Sequence, residues 1–245
     1  MRYVRGFLFV GLAWFAAGCM QFEYGITLED DLSGTADVDI AIDLDRVAYM
    51  GAYIENSFSG EGGEPTAEQI QESREEILQE MDEDEDFSEE SLRAEIEPDL
   101  PEGVTLLSAS VDRDELRTTM NVRFAFDHVD QLRDIHLDDE DQGDGGPQVS
   151  TDPFENLQIT QEGDEIVIRS EPINPMDEMD DQPWLSDELV DKLLEGFSVT
   201  FKITSPFDVE EHNATRREGK TLVWVFNLET LRSGEANGIF ARLKR

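Results

Sequence analysis

The fold class follows from residues 35–44, which read TADVDIAIDL. Apolar side chains at positions 36, 38, 40, 42 and 44 alternate with Thr35 and with the aspartates at 37, 39 and 43. In a β-strand, successive side chains point to opposite faces, so this pattern predicts a strand with one buried face and one solvated face. One-sided alternation of this kind is typical of antiparallel sheets.

The same alternation continues on both sides of this strand. Residues 20–28 (MQFEYGITL) place Phe22, Tyr24, Ile26 and Leu28 on one side, and an acidic turn at 30–34 joins the two segments into an antiparallel hairpin. The remaining strands are predicted over residues 103–112, 116–127, 157–160, 165–170, 197–204, 207–213, 221–228 and 238–243.

Amphipathic helices are predicted between these strands. Residues 46–57 favour a short helix, Thr66 and Gln69 form a capping box for a helix that ends near Met81, and Ser88 caps a helix through Ile96. Ser186 begins a further helix that Gly196 ends, with Trp184, Leu189 and Leu193 on its buried face. The chain is therefore predicted to be α+β, with a twisted antiparallel sheet and amphipathic helices packed on one face.

The N-terminus reads MRYVRGFLFVGLAWFAAGCM and has the organisation of a secretory signal. Two arginines precede an uncharged run, and small residues lead into Cys19. A transmembrane helix is the alternative, but the 13 uncharged residues 6–18 span only about 20 Å of the roughly 30 Å of hydrocarbon in a bilayer. We therefore predict removal of residues 1–18, with cleavage between Gly18 and Cys19. Residues 19–245 form one ectodomain, with an acidic helical insertion at about 58–100 and an acidic, flexible loop at about 138–153.

The segment before Cys19 resembles the lipobox of bacterial lipoproteins, with Ala16 where that pattern prefers leucine. The resemblance implies that Cys19 carries a diacylglycerol thioether and an N-acyl chain. Cys19 is the only cysteine of the chain, so an internal disulfide is excluded. An ordinary cleaved signal without lipidation is the other interpretation. Two or more acyl chains anchor a protein stably, so we expect the ectodomain to be held outside the cytoplasm, at the cell membrane or the outer membrane.

The chain carries 58 acidic and 19 basic residues, a formal net charge of −39. This charge repels nucleic acid, so we expect no binding to a phosphate backbone. It would also suit a high-salt environment, where screening weakens self-repulsion. The exception is residues 192–245, which have nine basic and seven acidic residues. A better-packed part of the sheet and a surface that approaches anionic partners are both compatible with this balance.

Motifs for catalysis or metal binding are not found. The acidic loop that begins at Asp138 has Gln142 where a calcium-binding EF-hand has aspartate or asparagine, and Val149 where it has glutamate. The three histidines do not have zinc-ligand spacing. Signatures of serine hydrolases, P-loop proteins and dinucleotide-binding proteins are missing. We therefore expect a protein without metal or cofactor that is not an enzyme.

Three features together resemble the LppM-type envelope lipoproteins. They are the cysteine that leads directly into strands, the strand at 34–44 after an acidic turn, and the C-terminal run. That run contains a strand at 197–204, a break at Ser205 and Pro206, Asn213, the turn at 218–220 and the strand VWVFNL at 223–228. The resemblance implies an α+β ectodomain without enzymatic activity and a role in binding lipid or glycolipid.

These observations give two functional hypotheses. The first is a non-catalytic, membrane-anchored binding or scaffold domain that holds a lipid or other apolar ligand between the helix at 186–195 and the sheet. Its candidate ligand or core residues are Trp184, Leu189, Leu193, Phe201 and Trp224. The second is a structural or assembly lipoprotein that acts through protein partners in the cell envelope.

Overall fold

The computed structural model describes residues 20–59, 64–83, 88–114, 116–135, 154, 157–171, 191, 195–233 and 238–245. Its strands are β1 (Met20–Leu28), β2 (Gly34–Asp43), β3 (Val104–Arg113), β4 (Arg117–Phe126), β5 (Leu157–Glu162), β6 (Glu165–Ser170), β7 (Ser198–Thr204), β8 (Asp208–His212), β9 (Arg216–Glu218), β10 (Thr221–Asn227) and β11 (Phe240–Lys244). Its helices are α1 (Leu44–Ser59), α2 (Ala67–Glu83), α3 (Glu89–Ile96) and α4 (Leu228–Arg232), with 3-10 turns at Glu97–Asp99 and Val129–Asp134.

The strands form two sheets. Sheet A has the order β3-β4-β2-β1-β7-β10-β9, and sheet B has the order β5-β6-β11-β8. The α+β class and the antiparallel character are confirmed. Two details differ from the sequence prediction: the strands are divided between two sheets, and β1 pairs with β7 in parallel. Alternation predicts which face of a strand is buried, but it does not specify the strand's neighbour.

The hairpin of β1 and β2 pairs without interruption, from Met20 opposite Ile42 to Leu28 opposite Gly34. The turn is fixed by Asp31, whose carboxylate accepts hydrogen bonds from the backbone N–H and the hydroxyl of Ser33 at 3.1 and 2.6 Å. These hydrogen bonds lower the pKa of Asp31. Leu32 follows with a φ of +69° and turns its side chain into the core. The predicted acidic turn is thus confirmed.

The core lies between the two sheets. Sheet A contributes one face, and sheet B contributes Leu157, Ile159, Ile166, Ile168, Ala241 and Leu243. Phe154 and Phe207 fill the space between the strands. The residues Trp224, Phe124, Phe154 and Phe201 are each at most 2% exposed. Helix α3 packs Leu92 and Ile96 against the same core beside β3.

The helical segment between β2 and β3 begins with the predicted caps. The Thr66 hydroxyl accepts a hydrogen bond from the N–H of Gln69 at 3.3 Å, and the Gln69 amide oxygen accepts one from the N–H of Thr66 at 2.9 Å. Ser88 caps α3 in the same way through Ser91. Helices α1 and α2 are joined by a hydrogen bond in which Nε2 of Gln69 donates to Oδ1 of Asn56 at 2.6 Å. Gln69, which caps the start of α2, therefore also fixes this helix to α1. The predicted helix at 186–195 and the loop at 138–153 lie outside the described residues, apart from Asp191 and Glu195.

We expect Gly34→Ala to destabilise the protein. A Cβ at position 34 would lie 1.9 Å from the carbonyl oxygen of Thr27 and 3.0 Å from Cζ of Phe126. Such a collision must separate β1 from β2, so the free energy of unfolding should fall by about 2 kcal/mol or more in urea titrations.

Gly25→Ala is the matched control in the same hairpin. The nearest atom to a Cβ at position 25 is Cβ of Asp37 at 3.5 Å, an ordinary contact. Equal losses of stability in the two variants would contradict the steric explanation.

Candidate functional site

Beyond the row at the β1–β2 turn, which contains Leu28, Gly34, Phe126 and Val104, three successive cross-strand rows of apolar side chains cross the inner face of sheet A. Row one contains Ile26, Ala36, Leu106, Phe124, Ile203 and Leu222. Row two contains Tyr24, Val38, Ala109, Val122, Phe201 and Trp224. Row three contains Phe22, Ile40, Val111, Met120, Val199 and Phe226.

Burial changes sharply between the second and third rows. Every side chain of rows one and two is at most 9% exposed. In row three only Phe226 is buried, and its other five members are half-buried. We call these five residues, Phe22, Ile40, Val111, Met120 and Val199, the apolar row. The apolar row is therefore a band of hydrophobic surface, five strands wide, that continues the core towards the end of the sheet where β1 begins.

Aromatic rings mark where the covered part of the core ends. Phe154 meets Tyr24 and Phe201 of row two edge to face, with ring centroids 6.2 and 6.4 Å apart. Phe22 of the apolar row stacks on Tyr24 at 6.2 Å and meets Phe197 at 6.3 Å. Phe22 thus extends the aromatic cluster beyond Phe154. An apolar group on this band would contact side chains such as Phe22, which already pack against the core on one side.

Trp224 connects the two sheets. Its ring is buried in row two, and its indole N–H donates a 2.7 Å hydrogen bond to the side-chain oxygen of Asn213. The same oxygen accepts the backbone N–H of Phe240 at 2.8 Å, and the Asn213 amide donates to the carbonyl of Gly238 at 3.0 Å. Buried tryptophan needs a partner for its N–H, and here the partner holds β11 as well. Trp224 is therefore a core residue that sets the spacing between the sheets.

The opposite face of sheet A is polar and charged. Lys202 on β7 pairs with Glu23 on β1, and Arg123 on β4 pairs with Asp37 on β2 at 3.2 Å. Asp39 lies between these pairs, opposite Glu23 in the β1–β2 ladder. Partial burial raises the pKa of Asp39, the neighbouring Glu23 and Asp37 raise it further, and Lys202 opposes the increase. Glu23 and Asp37 are thus engaged in cross-strand ion pairs with Lys202 and Arg123.

Other polar groups have structural partners. The Nδ1 atom of His128 accepts the N–H of Asp130 at 3.3 Å, and that of His212 accepts the N–H of Ala214 at 3.1 Å. Within the ranges that the structure describes, no group of three or more His, Cys, Asp or Glu side chains could hold a metal ion. A shallow pocket of about 170 Å³ on sheet B is lined by polar residues including Gln158, Glu165 and Arg242.

The sequence-predicted site residues divide into two groups. Phe201 and Trp224 are neighbours in row two, fully buried between the sheets. Gly18, Cys19, Trp184, Leu189 and Leu193 lie outside the described residues. The apolar row was not singled out from the sequence, although alternation does assign Phe22, Ile40 and Met120 to inward faces. The missing information was which strands become neighbours and how far sheet B extends over them.

The model of the LppM domain family matches residues 21–242. The chain belongs to the LppM family. Membership confirms the resemblance seen in the sequence and indicates an envelope-associated lipoprotein. The match includes all eleven strands except the ends of β1 and β11, so the apolar row and the Trp224–Asn213 contact both lie inside the LppM domain.

A solved structure of an LppM protein is also similar to this chain. It is the NMR structure of the folded domain of Mycobacterium tuberculosis LppM, which is 13% identical with a TM-score of 0.45. The similarity covers 92% of this chain and 90% of that one. The search of curated proteins gave no match.

We predict that Asp39→Asn stabilises the LppM domain at neutral pH. A folded-state pKa above the ordinary value means that the folded protein binds the proton more tightly than the unfolded chain does. The wild type therefore loses stability as the pH rises from 3.8 through the folded-state pKa. The variant should show a higher melting temperature than the wild type at pH 7, and the difference should vanish near the acid end of the titration.

Asp112→Asn is the control, because Asp112 is an exposed acid on the neighbouring part of the same sheet. It measures the general benefit of removing one negative charge from so acidic a chain. A gain at position 39 no larger than the gain at position 112, or an NMR titration placing the pKa of Asp39 at or below 3.8, would refute the prediction.

Proposed function

We propose that this LppM protein is a lipid-anchored, non-catalytic envelope protein whose ectodomain holds the acyl part of a lipid against the apolar row. The observation that supports the proposal is the change in burial between rows two and three of sheet A. Tyr24 is 5% exposed and Val38 is 2% exposed, whereas Phe22 and Ile40, one row further, are half-buried.

Energetics favour an apolar occupant of this band. Covering apolar surface contributes about 25 cal/mol per Å², and each buried methylene contributes about 0.8 kcal/mol. Phe22 offers the ligand a flat aromatic ring, and Met120 offers a flexible thioether that adjusts to the shape of the ligand. The acids of β1 and β2 at 23, 37 and 39 point to the other side of the sheet, away from this band.

The location of the apolar row suits a ligand drawn from the bilayer. The row is the fourth from the β1–β2 turn and lies next to the end of β1, where Met20 follows directly on Cys19. We propose that Cys19 carries the acyl anchor after removal of residues 1–18. Among the described helices, none has both the length and the apolar character to cross a membrane. Mass spectrometry of the mature N-terminus tests the anchor independently of the ligand.

Photo-crosslinking tests the ligand. The mature protein is reconstituted into vesicles that contain a phospholipid with a diazirine on its acyl chain. We expect crosslinks at the apolar row, and we expect Val199→Asn to reduce them several-fold because it places an amide on the band. Val225→Asn is the matched control: Val225 is half-buried on the neighbouring strand β10 but faces the opposite side of sheet A.

The ligand proposal fails if crosslinks avoid residues 22, 40, 111, 120 and 199, or if both valine variants behave alike. An acylated Cys19 together with that result would leave the anchor intact and remove only the ligand.

A second candidate function, assembly through a protein partner, is favoured by the edge strand β3. It ends sheet A, is ten residues long, and carries no charge from 104 to 111. The other edge strands are short or charged: β9 is RRE, β8 is DVEEH and β5 is LQITQE. Charged residues protect an exposed edge against pairing with another chain, and β3 lacks that protection along most of its length.

Leu107→Lys tests this alternative. Leu107 is 48% exposed on β3, so a lysine there should leave the fold intact while it blocks strand addition. If the protein acts through this edge, a partner crosslinked to the wild type in solubilised envelopes should be lost in the variant, with acyl crosslinking unchanged. A partner retained equally by both proteins would exclude β3 as the docking edge.

A further inference from the structure

The exposed large apolar side chains of the described region are two leucines of the β3–β4 hairpin. Leu116 is 55% exposed and Leu107 is 48% exposed. Isolated surface leucines are common and need no explanation by themselves. Their positions along the strand direction of sheet A, however, are very different. Leu116 lies at the end of the sheet where β1 begins, which is the end that carries the proposed anchor.

The pairing register gives the position of each leucine along the strand direction, measured from Met20. Met20 lies opposite Ile42, and Ile42 lies opposite Thr118, so the first residue of β1 is level with Thr118 on β4. Leu116 lies two residues beyond that level, which is about 7 Å further out, and two strands, or about 10 Å, to the side. Leu107 adjoins Leu106, which is level with Ile26 and therefore about 20 Å above Met20.

Chain length leaves little freedom for the hairpin to avoid the bilayer. Cys19 and the first residue of β1 are consecutive, so no linker separates an acylated Cys19 from sheet A. One residue spans at most about 3.6 Å. The end of the sheet that contains Met20 must then lie against the headgroups, and Leu116 extends beyond it.

The backbone holds Leu116 in this position. Its N–H donates to the Asp114 carboxylate at 2.7 Å, and its carbonyl accepts the N–H of Leu44 at 2.9 Å. The same carboxylate oxygen of Asp114 accepts the N–H of Arg117 at 2.8 Å. The carboxylate of Asp114 is thus directed to the backbone. The guanidinium of Arg117 donates to the side chain of Gln21 at 2.8 Å, beside the start of β1.

We infer that Leu116, directly before β4, inserts into the acyl region of the bilayer that carries the anchor, with Arg117 at the headgroups. The inference rests on the proposed anchor at Cys19. A leucine next to an arginine suits an interface, because the arginine keeps its charge among the headgroups while its stem covers apolar surface. The hairpin then forms a second, non-covalent contact that fixes the orientation of the ectodomain and turns the apolar row towards the leaflet.

Single-cysteine labelling of the full mature protein tests the insertion. Cys19 is the only cysteine, so if it is acylated, Leu116→Cys and Leu107→Cys each provide one free thiol for an environment-sensitive fluorophore. The labelled proteins are reconstituted into vesicles of phosphatidylcholine and phosphatidylglycerol. We expect a blue shift of the emission, and quenching by spin-labelled acyl chains, at position 116 and neither effect at position 107.

The outcomes separate the two proposals. Two labels per chain would show that Cys19 is unmodified, and the anchor would fail. One label per chain, co-flotation with vesicles and an aqueous emission at position 116 would overturn the insertion and keep the anchor. Quenching of equal strength at both positions would also overturn it, because the ectodomain would then lie flat. Thermal melting of both variants at the wild-type temperature confirms that the labelled proteins are folded.

Discussion

The parallel pairing of β1 with β7 is the constraint on which this fold depends. It aligns residues 21–27 with residues 198–204, so it joins parts of the chain that are more than 170 residues apart. Without it, sheet A would separate into the group β3-β4-β2-β1, made of two hairpins side by side, and the group β7-β10-β9. The rows of the inner face exist only because both groups share one register across β1. Non-local contacts of this kind form late and slowly, since a long loop must close first.

Local features of the fold could be predicted from the sequence, and long-range features could not. Alternation predicted β1, β2, β4 and β10, and the Thr66 cap predicted the start of α2, because both signals arise within a few residues. The parallel neighbour of β1 is not encoded in its own alternation. Phe22 and Tyr24 look equivalent in the sequence, yet only Tyr24 lies under Phe154. Val223 shows the converse: it faces the polar side of sheet A and is 1% exposed.

Charge and apolar surface are separated by the two faces of sheet A. The acids of β1 and β2 lie on the outer face, where Lys202 and Arg123 offset part of their repulsion. The hydrophobic side chains lie on the inner face, which packs against sheet B. The hydrogen bond from Trp224 to Asn213 links the two sheets. In a chain of net charge −39, the acids of β1 and β2 are thus separated from the apolar row by the thickness of the sheet.

The position of β1 within sheet A also has a mechanical consequence. Its first residue follows directly on Cys19, and its two edges pair with β2 and β7 over nearly their full length. Backbone hydrogen bonds run across a strand, so tension applied at Met20 along β1 would load both ladders in shear, with many bonds resisting together. A strand at the edge of the sheet would have only one such ladder to resist the same load. The anchor that we propose at Cys19 would therefore pull on the central strand of sheet A, where two ladders resist the load together.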